Sequence, residues 1–201
     1  MREKYPERKI TRRSILAWIK SQEITQLHAK HFTPKEIKST VLRHPALQVG
    51  IDLVDMQLFE KDGFKYLFNG VDLFSRKLYS IPLKNKEAPT VLAGLKKMIS
   101  QFKIPVKSLR SDRGSEFIAD IFQAYLKSKG IAQVLSSAHK PTSNGGIERA
   151  NQTLKRLIHK NIEVDDQFNW VKSIQKMVDI VNETIIPSKG ASADDIENGD
   201  D

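Results

Sequence analysis

The stretch Leu47–Met56, LQVGIDLVDM, decides how the rest of the chain is read. Leu47, Val49, Ile51 and Leu53 alternate with Gln48, Gly50, Asp52 and Val54, and this period of two marks a β-strand. An acidic side chain, Asp52, sits inside that apolar strand, where a carboxylate is costly unless a cation stands beside it. Just downstream, KDGFKY at 61–66 carries an Asp-Gly pair between apolar runs, a hairpin signal. The next strand, YLFNGVDLF at 66–74, turns through SRK into LYSIPL at 78–83. Three antiparallel strands thus open the domain.

Beyond them the period changes. Ala88–Phe102 reads as an amphipathic helix with Val91, Leu92, Leu95, Met98 and Ile99 inward. A short strand at Val106–Ser111, a helix at Phe117–Lys129 and a strand at Ile131–Leu135 follow. Ser136–Gly146 holds Pro, Ser, Asn and two Gly, and reads as a mobile loop. Two helices, Ile147–Ile162 and Gln167–Thr184, precede an unstructured tail. Hairpin-linked strands followed by helix–strand–helix–strand predict an α/β fold: a mixed five-stranded sheet flanked by helices, with an N-terminal helical extension.

Composition bounds the partners. A chain of 201 residues suffices for one well-buried domain plus an extension. No apolar run reaches the roughly 18 residues of a membrane helix, so no membrane partner is expected. The start, MREKYPERKITRR, is charged with no apolar stretch behind it, so no secretion signal is expected. With no Cys, neither disulfides nor a cysteine-ligated zinc site can form in these residues. The net charge of +9 favours a polyanionic partner. Residues 1–45 concentrate it, with 11 Lys and Arg against 4 Asp and Glu, which suits a nucleic-acid contact. The last eight residues, DDIENGDD, hold five acidic groups and no basic one, a composition that suits disorder. The expected organisation is therefore a basic helical extension over 1–45, a core over 46–187 and an acidic disordered tail over 188–201.

Two more carboxylates give the core its chemistry. Asp112, in SDRGSEF, closes a predicted strand; Glu148, in PTSNGGIERANQTLK, opens a predicted helix, and 35 residues lie between them. Together with Asp52 they form a set that can share Mg²⁺ or Mn²⁺, and such ions suit phosphodiester chemistry. Along the Glu148 helix, Ile147, Ala150, Leu154, Leu157 and Ile158 form one apolar stripe. Glu148, Gln152, Lys155 and His159 fall on a separate polar stripe. Structural readings compete. A first-turn Glu suits the helix dipole, an Asp before Arg-Gly suits a turn, and Asp55 and Asp72 rival Asp52 for the third position.

The order LQVGIDLVDMQ, VDLFSRKLYSIPL, SDRGSEF and KPTSNGGIERANQTLKRLI resembles the catalytic core of the retroviral integrase superfamily over about residues 46–185. It looks closest to integrases of long-terminal-repeat retrotransposons and of Polinton/Maverick or virophage elements. The resemblance implies an RNase H-like fold and assigns Asp52, Asp112 and Glu148 as both catalytic and metal-holding, with two Mg²⁺ (or Mn²⁺) ions per site. It implies an enzyme, a DNA integrase that trims element ends and joins them to target DNA. Lys155 matches a position that contacts element-end DNA in relatives, and Asn144 and Gln152 match polar DNA-contacting positions.

Arg156, Lys160, His159 and His139 complete the expected DNA contacts. Gly145 and Gly146 are expected to let the loop close over substrate, so that Ala at both slows catalysis. Relatives dimerise through their cores, so a homodimer or higher oligomer on DNA is implied, in the host nucleus or a viral particle. Flanking zinc-binding and small β-barrel domains of complete integrases are not visible, so the chain resembles a core with a connecting segment. His28 and His31 read as helix surface, and Trp18, Tyr79 and Trp170 as core or interface. Two further readings are a catalytically silent, domesticated DNA-binding core and an RNase H-type nuclease.

Overall fold

In the computed structural model the chain divides after Thr40 into two units. The structure describes residues 42–136 and 145–199 and, in the first unit, Thr11, Arg12, Ser14, Ile15 and Trp18. Of these, Arg12, Ser14, Ile15 and Trp18 are helical. Thr11 and Ser14 exchange backbone-to-hydroxyl hydrogen bonds of 2.9 and 3.1 Å, which cap that helix. Trp18 is 64% exposed and so is not a core residue. His28 and His31 lie outside the described residues.

The second unit is built on five strands: β1 (Val49–Asp55), β2 (Tyr66–Asp72), β3 (Leu78–Leu83), β4 (Ser108–Ser111) and β5 (Ala132–Leu135). Their order across the sheet is β3-β2-β1-β4-β5. The first three pair antiparallel, while β1–β4 and β4–β5 pair parallel. Asp62 and Gly63 both take positive φ (53° and 79°) in the tight turn that returns the chain to β2, as the Asp-Gly signal requires.

Among the described residues six helices complete the unit: α1 (Ala88–Ile99), α2 (Ser115–Ile118), α3 (Asp120–Lys129), α4 (Gly145–Val164), α5 (Trp170–Glu183) and α6 (Ala193–Asn198). One face of the sheet buries Val49, Ile51, Phe68 and Ile81 with Leu95 and Met98 of α1 and Phe117 and Phe122 of α2 and α3. The other buries Leu67, Val71 and Leu78 with Ile147, Leu154 and Ile158 of α4 and Trp170, Ile174 and Met177 of α5. The inward residues expected of the first helix and of the Ile147 stripe are the ones that pack. Tyr79 and Trp170 are both buried.

Two expectations change. The helix expected over Phe117–Lys129 is two helices, because Ala119 is extended (ψ 142°) and its carbonyl accepts from Phe122 and Gln123 to start α3 afresh. The acidic tail expected to be disordered carries α6. Ser192 and Asp195 close a capping box at its start. Its acidic groups are not merely solvated: Asp194 and Glu197 each pair with Lys77 at 2.7 Å, and Tyr79 donates to Glu197 at 2.9 Å. Composition reports charge but not partners, and here the partners lie more than a hundred positions upstream.

Gly70 shows how closely the layers meet. A Cβ at this position of β2 would overlap the Met98 sulfur, which is buried in the core beneath α1. Gly70→Ala should therefore cost about 1–3 kcal/mol by overpacking, and Met98→Ala in the same chain should recover part of that loss. Urea denaturation of the two single variants and the double variant checks this; strictly additive losses would contradict it.

Candidate active site

The site begins with strand pairing. In the parallel register of β1 with β4, Val49 lies opposite Leu109 and Gly50 opposite Arg110. Continued two residues along both chains, that register sets Asp52 opposite Asp112. Burial falls along β1, from a fully covered Val49–Ile51 to a half-covered Asp52–Val54 and an exposed Asp55. Asp52 is thus the point where the strand leaves the core.

Asp52 is held by two donors. Its Oδ1 accepts from the Leu53 amide at 2.9 Å, and its Oδ2 accepts from the Asn151 side chain at 2.7 Å. Its pKa is nevertheless pushed up to about 6. Burial is the largest cause, and the neighbouring Asp112 and Glu148 carboxylates add to it, against the two hydrogen bonds. The two charges that act on Asp52 are both negative and belong to the residues predicted to share its site.

Asp112 is exposed just past β4, and its Oδ1 accepts from the Gly114 amide at 2.9 Å, forming the turn into α2. Ser111 before it is fully buried, where the Gln133 side chain donates to its hydroxyl at 3.0 Å. Glu148 is exposed in the first turn of α4. Ile147 beside it is buried, and a Cβ on Gly50 of β1 would touch Ile147, so α4 begins directly above the β1 row. Among the described residues no three His, Cys, Asp or Glu side chains are gathered tightly enough to hold a metal ion as they stand. Asp112 and Glu148 are near enough to act on Asp52, but both point into solvent.

The rivals of Asp52 have structural partners. Asp55 is exposed and accepts from both the amide and the side chain of Gln57 at 2.8 Å, ordering the single 3₁₀ turn Gln57–Phe59. Asp72 is 1% exposed and accepts from the amides of Phe74 (2.7 Å), Ser75 (2.9 Å) and Ala46, closing the β2–β3 turn and pinning the entry to β1.

The expected DNA-contacting residues separate into three groups. Gln152, Lys155, Arg156 and Lys160 are exposed on α4 and line an open concavity along it. His159 lines the same concavity but is half-buried, its ring 4.4 Å from that of Phe59, with a buried Nε2 that has no partner in the structure. It does not project into solvent as Lys155 does. Asn144 and His139 lie outside the described residues. Gly145 and Gly146 belong to the first turn of α4; a Cβ on Gly145 would meet nothing, while one on Gly146 would meet the end of the flexible Arg76 side chain.

Sequence reading missed Asn151 and the buried polar residues behind it, Asn69 and Ser80. Their signal was present. On one face of β2 the order is Leu67, Asn69, Val71, and on β3 it is Leu78, Ser80, so each breaks an apolar alternation at an inward position.

Comparison with known proteins bears on the fold and on residues 43–141. Residues 43–141 match the family model described as integrase core domain. The Gag-Pol polyprotein of avian reticuloendotheliosis virus is 33% identical over 122 residues, covering 60% of this chain and 10% of the polyprotein. The Gag-Pol polyprotein of koala retrovirus is 36% identical over 110 residues, covering 54% of this chain and 6% of that one. A transposon-derived protein of Caenorhabditis elegans is 26% identical over 144 residues, 70% of this chain and 49% of that protein. The chain thus spans only a small part of the viral polyproteins it matches.

Among solved structures, the integrase catalytic core domain of HTLV-2 in complex with magnesium superposes with a TM-score of 0.64 at 20% identity, covering 77% of this chain and 97% of that one. A chain of the simian T-cell lymphotropic virus intasome gives 0.72 at 18% identity, covering 94% and 67%. At such identities the structures speak for the fold, which is RNase H-like. The sequence matches and the shared fold agree: residues 43–141 match an integrase core domain, and the chain is similar to parts of retroviral Gag-Pol polyproteins.

Proposed function

We propose that this chain is the catalytic core of a DNA integrase that processes the 3′ ends of a mobile element and joins them to target DNA. One observation carries the reading: within an RNase H-like sheet, the carboxylates that act electrostatically on Asp52 are Asp112 and Glu148, in the chain order and spacing of the family motif.

The donor set fits divalent cations. Asp52 and Asp112 lie at the ends of two adjacent parallel strands with Glu148 near enough to act on Asp52, which is left half-ionised near pH 6 by burial and by its two acidic neighbours. That is an unfavourable grouping of like charge which a hard cation relieves. Asp52, Asp112 and Glu148 would hold Mg²⁺ or Mn²⁺. Two such ions, when bound, supply activation of the attacking oxygen and stabilisation of the leaving one.

The rest falls to the chain itself. In end processing a water oxygen bonds to phosphorus and the bond to the 3′-oxygen breaks, leaving a free 3′-hydroxyl. In strand transfer that hydroxyl attacks a target phosphodiester and displaces another 3′-oxygen. No covalent protein intermediate is needed, so positioning dominates. Gln152, Lys155, Arg156 and Lys160 present donors and positive charge along one exposed side of α4, suited to phosphates and thus to holding register rather than reading sequence. Asn144, His139 and the basic 1–45 segment would supply further phosphate contacts. Action as a homodimer or higher assembly on DNA, in the nucleus or a viral particle, belongs to the same proposal.

The acidic cluster has a signature in stability. Because Asp52 holds its proton more tightly folded than unfolded, its contribution is full below its ordinary value near 3.8 and is lost as pH rises through about 6. Without divalent ions, the protein should lose up to roughly 2 kcal/mol of stability across that window, allowing for the partial exposure of the carboxyl. Asp52→Asn should abolish this slope and be the more stable protein at pH 7 without metal. Mn²⁺ should then raise the melting temperature of wild type but not of the variant. Identical pH profiles for the two proteins would contradict the electrostatic account.

Activity is tested on labelled branched and linear element-end DNA with Mg²⁺ or Mn²⁺, comparing wild type with Glu148→Gln. Joined or resolved products that disappear in the variant are expected. Tight DNA binding without products in both proteins would contradict the enzymatic reading.

A further inference from the structure

Asp52, Asn69 and Ser80 form one row across three strands: Asp52 is the register partner of Asn69, and Asn69 of Ser80. The face they share is otherwise apolar, with Leu67, Val71 and Leu78 beside them beneath α4 and α5. Asn69 is 0% and Ser80 5% exposed. Burying an amide and a hydroxyl has a cost, and an apolar pair of the same size would serve packing at least as well.

What distinguishes the pair is the direction of its hydrogen bonds. The Ser80 hydroxyl donates to Asn69 Oδ1 at 2.6 Å, Asn69 Nδ2 donates to Asn151 Oδ1 at 2.8 Å, and Asn151 Nδ2 donates to Asp52 Oδ2 at 2.7 Å. An Asn side chain carries a donor end and an acceptor end of nearly equal size, so its own shape does not decide which one faces a neighbour. Here the donor arriving from Asn69 occupies the acceptor end of Asn151, which leaves the amide N–H for the carboxylate. Were Asn151 reversed, its carbonyl would face Asp52 oxygen to oxygen and the Asn69 amide would lose its acceptor. Successive bonds of one sense also polarise each other, strengthening the last one.

We propose that Asn69 and Ser80 are positioning residues, a buried relay that fixes the amide orientation of Asn151 and, through it, the plane in which Asp52 presents its free lone pairs. The relay rests on the reading of Asp52 as a member of the acidic site, but it also stands as a testable arrangement in the metal-free protein. Asn69 and Ser80 are buried, touch no reacting group, and act only through Asn151.

The experiment has two readouts on the full chain. The first is the side-chain amide signal of Asn151 in ¹H–¹⁵N spectra without metal, assigned by its loss in Asn151→Ala. It should shift in Asn69→Leu and, less, in Ser80→Ala, and return in Ser80→Thr, which restores the hydroxyl. The second is Mn²⁺ affinity by calorimetry. It should weaken about three- to tenfold in Asn69→Leu, the range expected for weakening one charge-assisted hydrogen bond, and by less in Ser80→Ala. Asn69→Leu placed in an Asn151→Ala background should add no further loss, a coupling that a purely structural role would not produce.

An unmoved Asn151 signal, or fully additive losses in the double variant, would overturn the relay. If Asp52→Asn binds Mn²⁺ as wild type does, the acidic-site reading fails instead, while the Asn151 signal still reports on the relay by itself. Should Asn69→Leu not fold, Ser80→Ala decides the matter with the same two readouts.

Discussion

Everything at the acidic site depends on the parallel pairing of β1 with β4. Parallel neighbours cannot be joined by a tight turn, so the chain must build β2, β3 and α1 before β4 can lie beside β1. That detour covers one face of the sheet and lays two neighbouring interior strands side by side pointing the same way. Asp112 then emerges just past the end of β4, opposite Asp52 on β1, which runs on past β4 supported by β2 alone. A site at the carboxyl ends of adjacent parallel strands is the usual outcome of open α/β sheets, where helices and loops converge over the strand ends. The start of α4, laid above β1 by Ile147, brings Glu148 to the same place.

Like charge gathered in this way is unfavourable for the fold. Asp52 shows the cost directly, with burial and two acidic neighbours raising its pKa against the two hydrogen bonds that oppose them. The surrounding structure supports the strand ends instead of relieving the charge. Ser111 is buried and bonded to Gln133, Asp72 is bound by three backbone amides, and the row Asp52–Asn69–Ser80 carries a polar chain through an otherwise apolar layer. A sheet selected for stability alone would place aliphatic side chains along that row. Strain of this sort, tolerated at one place and compensated around it, is the usual mark of a functional centre.

Much of this was legible in the residues, and the parts that were not share a cause. Period-two alternation located β1, β2 and β3, and the Asp-Gly pair located the turn between the first two, because those signals are local. Asp52, Asp112 and Glu148 stand out as candidates because their spacing and flanking residues resemble a motif. Asp52 is preferred to Asp72 from its place inside an apolar strand, but the structural role of Asp72, bonded to Ala46 26 positions away, is one no local pattern reveals. Composition also gave no hint that Lys77 would pair with Asp194 and Glu197 and so order a tail that charge alone marks as disordered. The exposure of His159 was misjudged for the same reason: helical spacing places it on the polar stripe, but Phe59 arrives from another part of the chain to cover it.

The central claim is that Asp52, Asp112 and Glu148 together form one divalent-cation site. Anomalous scattering from crystals soaked in Mn²⁺ tests it most directly. The account expects manganese peaks bounded by Asp52 and Asp112, with the Glu148 side chain turned in from solvent to reach them. Peaks elsewhere, or none at saturating Mn²⁺ while Asp112 keeps its bond to the Gly114 amide, would contradict it.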